Sequence, residues 1–248
     1  MDISLKSLII LPHLDDEFAL VPLMKALSKK NNDNLKIIYC AERTNDKSFN
    51  IEKRRIENYK ALKTIGIQEK NIIYLNDFFE VKDLELWKSS EDIYNFLKDI
   101  FENEKFSQIL TLNFEGGHPD HDALALIVKN FANDKNLKKY YVPAYNYRKT
   151  FLLPISVFRP LKSQIQYFKI INFNFFCWMD CLKIAYIYKT ERKAFLKLLP
   201  FIIIQSFFSK KIYLCKDIYP ETVEWSKTIS SIRYKAKKAE IMGVIKST

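Results

Sequence analysis

Five short apolar runs alternate with longer amphipathic stretches through the first 145 residues, and this rhythm limits the fold more than any other feature. SLIILP (7–12), LKIIYCA (35–41), NIIYLN (71–76), SQILTLN (107–113) and KYYVPAY (139–145) have the length and β-branched or aromatic content of buried strands. Between them, 17–30, 50–65, 83–103 and 121–132 carry helical periodicity. In IEKRRIENYKALKTIGI, residues Ile51, Ile56, Tyr59, Leu62 and Ile65 fall roughly on one face, and Gly66 follows as a helix stop. Such alternation predicts right-handed βαβ units: an α/β, Rossmann-like, mostly parallel sheet with helices on both faces.

After about residue 150 the rhythm weakens. FKIINFNFF and KIYLCKDIY read as strands and WMDCLKIAYIYKTERKAFLKLL as a helix. The expected organisation is a catalytic core over 1–150 and a mixed α and β extension over 151–248 that completes the substrate site. Charge divides at the same place. Residues 1–150 hold 23 basic and 23 acidic side chains, whereas 151–248 hold 17 against 6, which is the whole net charge of +11. A field of that sign favours anionic partners.

Several classes are disfavoured. The four cysteines form no C-x-x-C pair and read as reduced thiols of a cytoplasmic protein. No secretory signal core is visible near the start, and no run of 18 uncharged apolar residues exists. FLKLLPFIIIQSFFSKK, from Phe195, reads as a buried helix or as a face resting on the inner surface of a membrane. The basic balance also suits a nucleic-acid-binding module, but no recognition motif accompanies it, so no nucleic acid is expected.

The three histidines of the chain lie in two acidic motifs, PHLDDE (12–17) and GGHPDH (116–121), each directly after an expected strand. Ligand sites of open α/β sheets lie beyond the carboxyl ends of strands, so the motifs meet if strands one and four are neighbours. A catalytic zinc takes three nitrogen or oxygen ligands and keeps a position for water. His13 and Asp16 supply two at H-x-x-D spacing, and His121 or His118 the third. Asp15 is then free to act as a base toward that water, and the remaining histidine to stabilise an oxyanion and protonate a leaving amine. Asp120 can orient that imidazole. Singly, these aspartates are ordinary helix N-caps. Together with the chain's one Gly-Gly pair, they point to a hydrolytic metal site.

PHLDDE followed by GGHPDHDA resembles the paired signatures of the PIG-L/LmbE family of zinc-dependent de-N-acetylases, over roughly residues 5–145. The resemblance implies hydrolysis of the acetamide of an N-acetylglucosamine-type sugar on a glycan, lipid or nucleotide carrier. It puts zinc, or another divalent metal such as Fe²⁺, on His13, Asp16 and His121. It makes Asp15 the general base and His118 the acid and oxyanion partner, tuned by Asp120. Leu14 departs from the family's usual proline. RRIENYKALKTIG resembles a further family feature, which implies substrate contact at Arg54, and Asp77 resembles a second substrate-contacting position. Beyond residue 150 only AYIYKTE is similar to the family, and no site residue is carried over from it. The expected partner is an anionic N-acetylated amino-sugar conjugate.

Overall fold

The computed structural model describes residues 1–42, 50–146, 156–172, 175–204, 211–223 and 241–243. Strands β1 (Ser7–His13), β2 (Leu35–Ala41), β3 (Ile72–Tyr74), β4 (Gln108–Leu112) and β5 (Lys138–Val142) form one sheet in the order β3-β2-β1-β4-β5. Every pairing in it is parallel. Helices α1 (Val21–Asn31), α2 (Ile51–Thr64), α3 (Ser90–Asn103) and α4 (Pro119–Asp134) connect the strands. The expected α/β architecture is the observed one.

Alternation along the strands builds two cores. Ile9, Leu11, Ile37 and Tyr39 face one side with α1 residues such as Leu23 and Leu27. Leu8, Ile10, Ile38 and Cys40 face the other with Ile93 and Leu97 of α3 and Leu124 and Val128 of α4. Strands buried on both faces lose the polar alternation of half-exposed ones, which explains their continuous apolar runs. The order reverses between β1 and β4, so the two motif-bearing loops flank the topological switch point.

Local chemistry shifts several boundaries. The helix expected over 17–30 begins instead as a 3₁₀ turn, Asp16–Ala19, and α1 starts at Val21. Pro22 has no N–H and fits only the first turn of α1. The run expected over 139–145 ends as a strand at Val142, before Pro143. Tyr145–Asn146 then pairs as β6 with β7 (Ser156–Val157) in an antiparallel ribbon.

In the extension, β8 (Lys169–Asn172) and β9 (Lys211–Leu214) are antiparallel, and α5 (Phe175–Ile187) and α6 (Arg192–Ile204) replace the single long helix expected. The predicted strand 168–176 therefore stops at Asn172. Helix α5 packs on α1 and α2. Tyr141 and Cys215 exchange backbone hydrogen bonds of 2.9 and 3.0 Å, which ties the segment after β9 to β5. The extension is thus welded to the sheet layer through both a helix and a strand. Among the described residues, no helix is long and apolar enough to cross a membrane.

Candidate metal centre and active site

His13 is the last residue of β1, and the chain then turns sharply. Asp15 takes φ 114°, a left-handed backbone that few non-glycine residues adopt. The turn is held from outside: the Asp15 N–H donates to Glu17 Oε2 at 3.0 Å, and the Phe18 N–H donates to the Asp15 carbonyl at 3.1 Å. Leu14, at the position of the family's proline, is fully buried in the core, so apolar packing stands in for a fixed φ.

The second loop is equally pinned. The Asp122 carboxylate accepts the N–H groups of Glu115 (2.8 Å) and Gly116 (2.9 Å), and Glu115 Oε2 accepts that of Ala144 (2.9 Å). Gly116 has φ 69°, the conformation for which a residue without a Cβ is suited. His118 caps α4, and Pro119 fills its first turn.

These loops converge. Asp16 Oδ2 lies 3.1 Å from His13 Nδ1, and Asp16 Oδ1 lies 3.3 Å from His121 Nε2. One nitrogen from each of His13, His118 and His121 lies within 4.8 Å of the other two. A tetrahedral ion with bonds of about 2.0–2.1 Å has ligand–ligand edges of about 3.3 Å, so each Asp16 spacing, made through a different oxygen, matches one such edge. Among the described residues, the groups whose donor atoms all lie within 4.8 Å of one another are His13, His118 and His121, and His13, Asp83 and Asp120. The donor set, imidazole and carboxylate, suits zinc or ferrous iron.

The far side of the His13 ring is also occupied. Its Nε2 lies 3.0 Å from Asp120 Oδ2 and 3.2 Å from Asp83 Oδ1. Asp120 further accepts the N–H groups of Leu84 (2.7 Å) and Leu86 (3.1 Å). An imidazole that faces a metal position with one nitrogen and a carboxylate with the other is the usual arrangement of metal-binding histidines. This corrects the expectation that Asp120 orients the His118 ring with its carboxylate. That carboxylate serves His13, and only the Asp120 backbone N–H meets His118, at Nδ1, 3.3 Å away. A His118 ring that accepts at Nδ1 carries its hydrogen at Nε2.

The remaining expected residues have different surroundings. Arg54, expected to reach substrate, is buried on α2: Nη2 donates to the Leu14 carbonyl and lies 3.3 Å from Asp15 Oδ1, while Nη1 lies 3.4 Å from Glu191 Oε1. The guanidinium fills the gap between two carboxylates behind the first loop. Asp77 follows the edge strand β3, two strands from β1, and accepts from Arg55 at 2.7 Å. Arg55 also holds Glu42 through two hydrogen bonds and lies 4.3 Å over the Tyr74 ring. Asp77 is thus part of a lateral ion cluster and is not brought to the histidines.

Sequence reasoning missed the supports contributed by distant segments. Asp83 lies in the loop between β3 and α3 with no motif around it. Tyr188 Oη donates to Glu17, Thr190 donates to Glu57 through its N–H (3.0 Å) and hydroxyl (2.6 Å), and Glu191 faces Arg54. The one available signal was AYIYKTE, which contains all three.

Charge follows from these contacts. Burial works against a protonated His13, but its hydrogen bonds to Asp120, Asp16 and Asp83 hold its pKa well above the ordinary histidine value. Burial likewise opposes ionised Asp16, and His121 and His13 overcome it, so its carboxyl lies well below the usual range. Asp15 is pushed well up by burial, with Arg54 pulling the other way. Burial and the neighbouring imidazoles push His118 down to about 3, so the ring is neutral.

A model of a family described as PIG-L, GlcNAc-PI de-N-acetylase, matches residues 8–132. No curated protein matches the sequence. Among solved structures, the deacetylase of an antimicrobial pseudoaglycone superposes with a TM-score of 0.57 at 12% identity, covering 87% of this chain and 97% of that one. N,N'-diacetylchitobiose deacetylase from Pyrococcus horikoshii gives 0.53 at 19% identity, covering 86% and 84%. The 4-carboxy-2-hydroxymuconate hydratase of Pseudomonas putida KT2440 gives 0.51 at 10%, covering 85% and 95%. At these identities the structural likeness establishes the fold alone, and the fold carries more than one chemistry.

Proposed function

Since the chain belongs to the PIG-L family, we propose that it is a de-N-acetylase that releases acetate from an N-acetylated amino sugar of the GlcNAc type. The observation that carries this reading is the Asp16 carboxylate set between His13 Nδ1 and His121 Nε2, with Asp15 beside it.

His13, Asp16 and His121 would hold a divalent metal, zinc or ferrous iron. When bound, such an ion supplies Lewis-acid activation of water and of the amide carbonyl. Asp15 accepts the proton of the attacking water and hands it on toward the leaving nitrogen, so amide and water become acetate and a free amine. Its side chain is 23% exposed. His118 points an Nε2–H donor at the carbonyl oxygen as that oxygen gains charge. Asp120 and Asp83 orient His13, and Arg54 holds Asp15 in register.

The carrier of the sugar is proposed to be anionic, on the strength of the basic excess in residues 151–248. A mass-spectrometric screen compares neutral and phosphorylated GlcNAc conjugates with metal-loaded protein. Loss of an acetyl group from a conjugate supports the reaction, and loss from none removes it. Equal turnover of the neutral and phosphorylated forms removes the anionic carrier. Asp15→Asn should retain its metal while hydrolysis falls by about 10²–10⁴-fold, the usual contribution of a general base. Metal loss in that variant would make Asp15 a ligand instead.

A further inference from the structure

Two surface grooves share the side chains of Tyr186 and Lys189. One, of 440 Å³, runs between α5 and α6 past Leu182, Leu196 and Leu199. The other, of 300 Å³, continues over α2 past Ile56 and Lys60. The surface they form is unusually apolar at its centre: Tyr186 is 80% exposed, Leu196 60%, Ile56 48% and Ile203 41%. Leu196, Leu199 and Ile203 fall at i, i+3 and i+7, on one face of α6. Phe195 turns the other way, into the core, where its ring lies 5.0 Å from Phe18 and 5.6 Å from Tyr188. Helix α6 therefore divides its apolar residues between the interior and the solvent, so neither a wholly buried helix nor an ordinary polar outer face describes it.

The rim is mainly basic, with Glu57 the acidic side chain among the groove linings. Lys189, Arg192, Lys193 and Lys197 are exposed and make no ion pair among the described residues. The nearby acids are already engaged, Glu57 by Thr190 and Glu191 by Arg54. An apolar strip flanked by unpaired lysine and arginine, with a tyrosine at its centre, matches the layered chemistry of an anionic lipid surface: acyl boundary, aromatic level, phosphate.

We propose that the α2–α5–α6 surface docks on an anionic bilayer, with the Leu196–Ile203 face of α6 in the headgroup layer and the basic rim on lipid phosphates. The docking does not depend on the reaction assigned above. Its position is nonetheless informative: the turn between α5 and α6 carries Glu191, which meets Arg54, which meets Asp15. The bilayer would lie beside the catalytic loop.

The test is co-sedimentation of the full chain with vesicles of phosphatidylcholine alone or mixed with phosphatidylglycerol. The protein should pellet with the mixed vesicles only and be released by high salt. The pair Tyr186→Glu and Leu196→Glu, and separately the pair Lys193→Glu and Lys197→Glu, should each lower partitioning by about tenfold or more, with circular dichroism and thermal melting unchanged. Failure to pellet with mixed vesicles overturns the proposal. So does unaltered pelleting of both folded variants. Dissociation of a dimer by Leu196→Glu in sedimentation velocity would give the surface to a second copy of the chain, and also overturns it.

Discussion

His13 Nε2 lies 3.0 Å from Asp120 Oδ2, which ties the carboxyl end of β1 to the first turn of α4 through one imidazole. The contact fixes the ring plane and leaves Nδ1 facing Asp16. Asp120→Ala should therefore lower metal affinity by about 10- to 100-fold, the usual effect of losing the carboxylate behind a metal-binding histidine. Competition with a chromogenic chelator measures it. Unchanged affinity would mean that His13 needs no anchor.

Arg54 is buried between Asp15 and Glu191. Arg54→Met leaves both carboxylates near each other without the cation, which should cost about 3 kcal/mol in urea unfolding. Adding Glu191→Gln should recover part of that loss. Strict additivity of the two changes would show that the three groups do not interact.

Tyr188 Oη meets Glu17 and also accepts from Asn58 Nδ2 at 2.8 Å. Tyr188→Phe leaves buried partners unsatisfied and should destabilise the fold by about 1–3 kcal/mol. Since Glu17 holds the Asp15 N–H, kcat should fall while metal affinity stays. A variant with lower stability and unaltered kcat would separate Glu17 from the positioning of Asp15.

Gly116→Ala forces a left-handed backbone on a residue with a Cβ and should cost about 1–2 kcal/mol. Gly243→Ala makes the control, since a Cβ there meets nothing within 4 Å. Equal melting temperatures for the two variants would show that the loop relaxes freely.

The sheet and the histidine and aspartate motifs were readable because both depend on short-range pattern. Buried parallel strands are continuous apolar runs, and His13, Asp16, His118 and His121 sit at fixed offsets after two of them. The neighbour relation of β1 and β4, on which the meeting of the two motifs depended, came from the structure. What could not be read depends on side chains that meet only after folding. Asp120 appeared beside His118 in sequence, yet its carboxylate turns to a ring 107 positions away. Arg54, expected at the substrate, is buried between Asp15 and Glu191, and Glu191 is remote in the chain, so no local pattern announces the pairing.

The long helix expected over 178–199 failed for a similar reason. Periodicity runs through Tyr188–Glu191, but the hydrogen bonds of Tyr188 and Thr190 to Glu17 and Glu57 favour a turn there. Tertiary contacts override local propensity at that point. Asp77 lies after a strand, as expected, but that strand is at the sheet's edge and the carboxylate pairs with Arg55.

The Tyr188–Glu191 turn also limits how this protein can be recombined. A chimera that kept the histidine motifs and replaced everything after β5 would remove, in one cut, the phenol on Glu17, the hydroxyl on Glu57 and the carboxylate on Arg54. His13, Asp16 and His121 would all be present, yet the loop carrying Asp15 would have lost its scaffold, so any transplanted second half must bring three matching side chains in register.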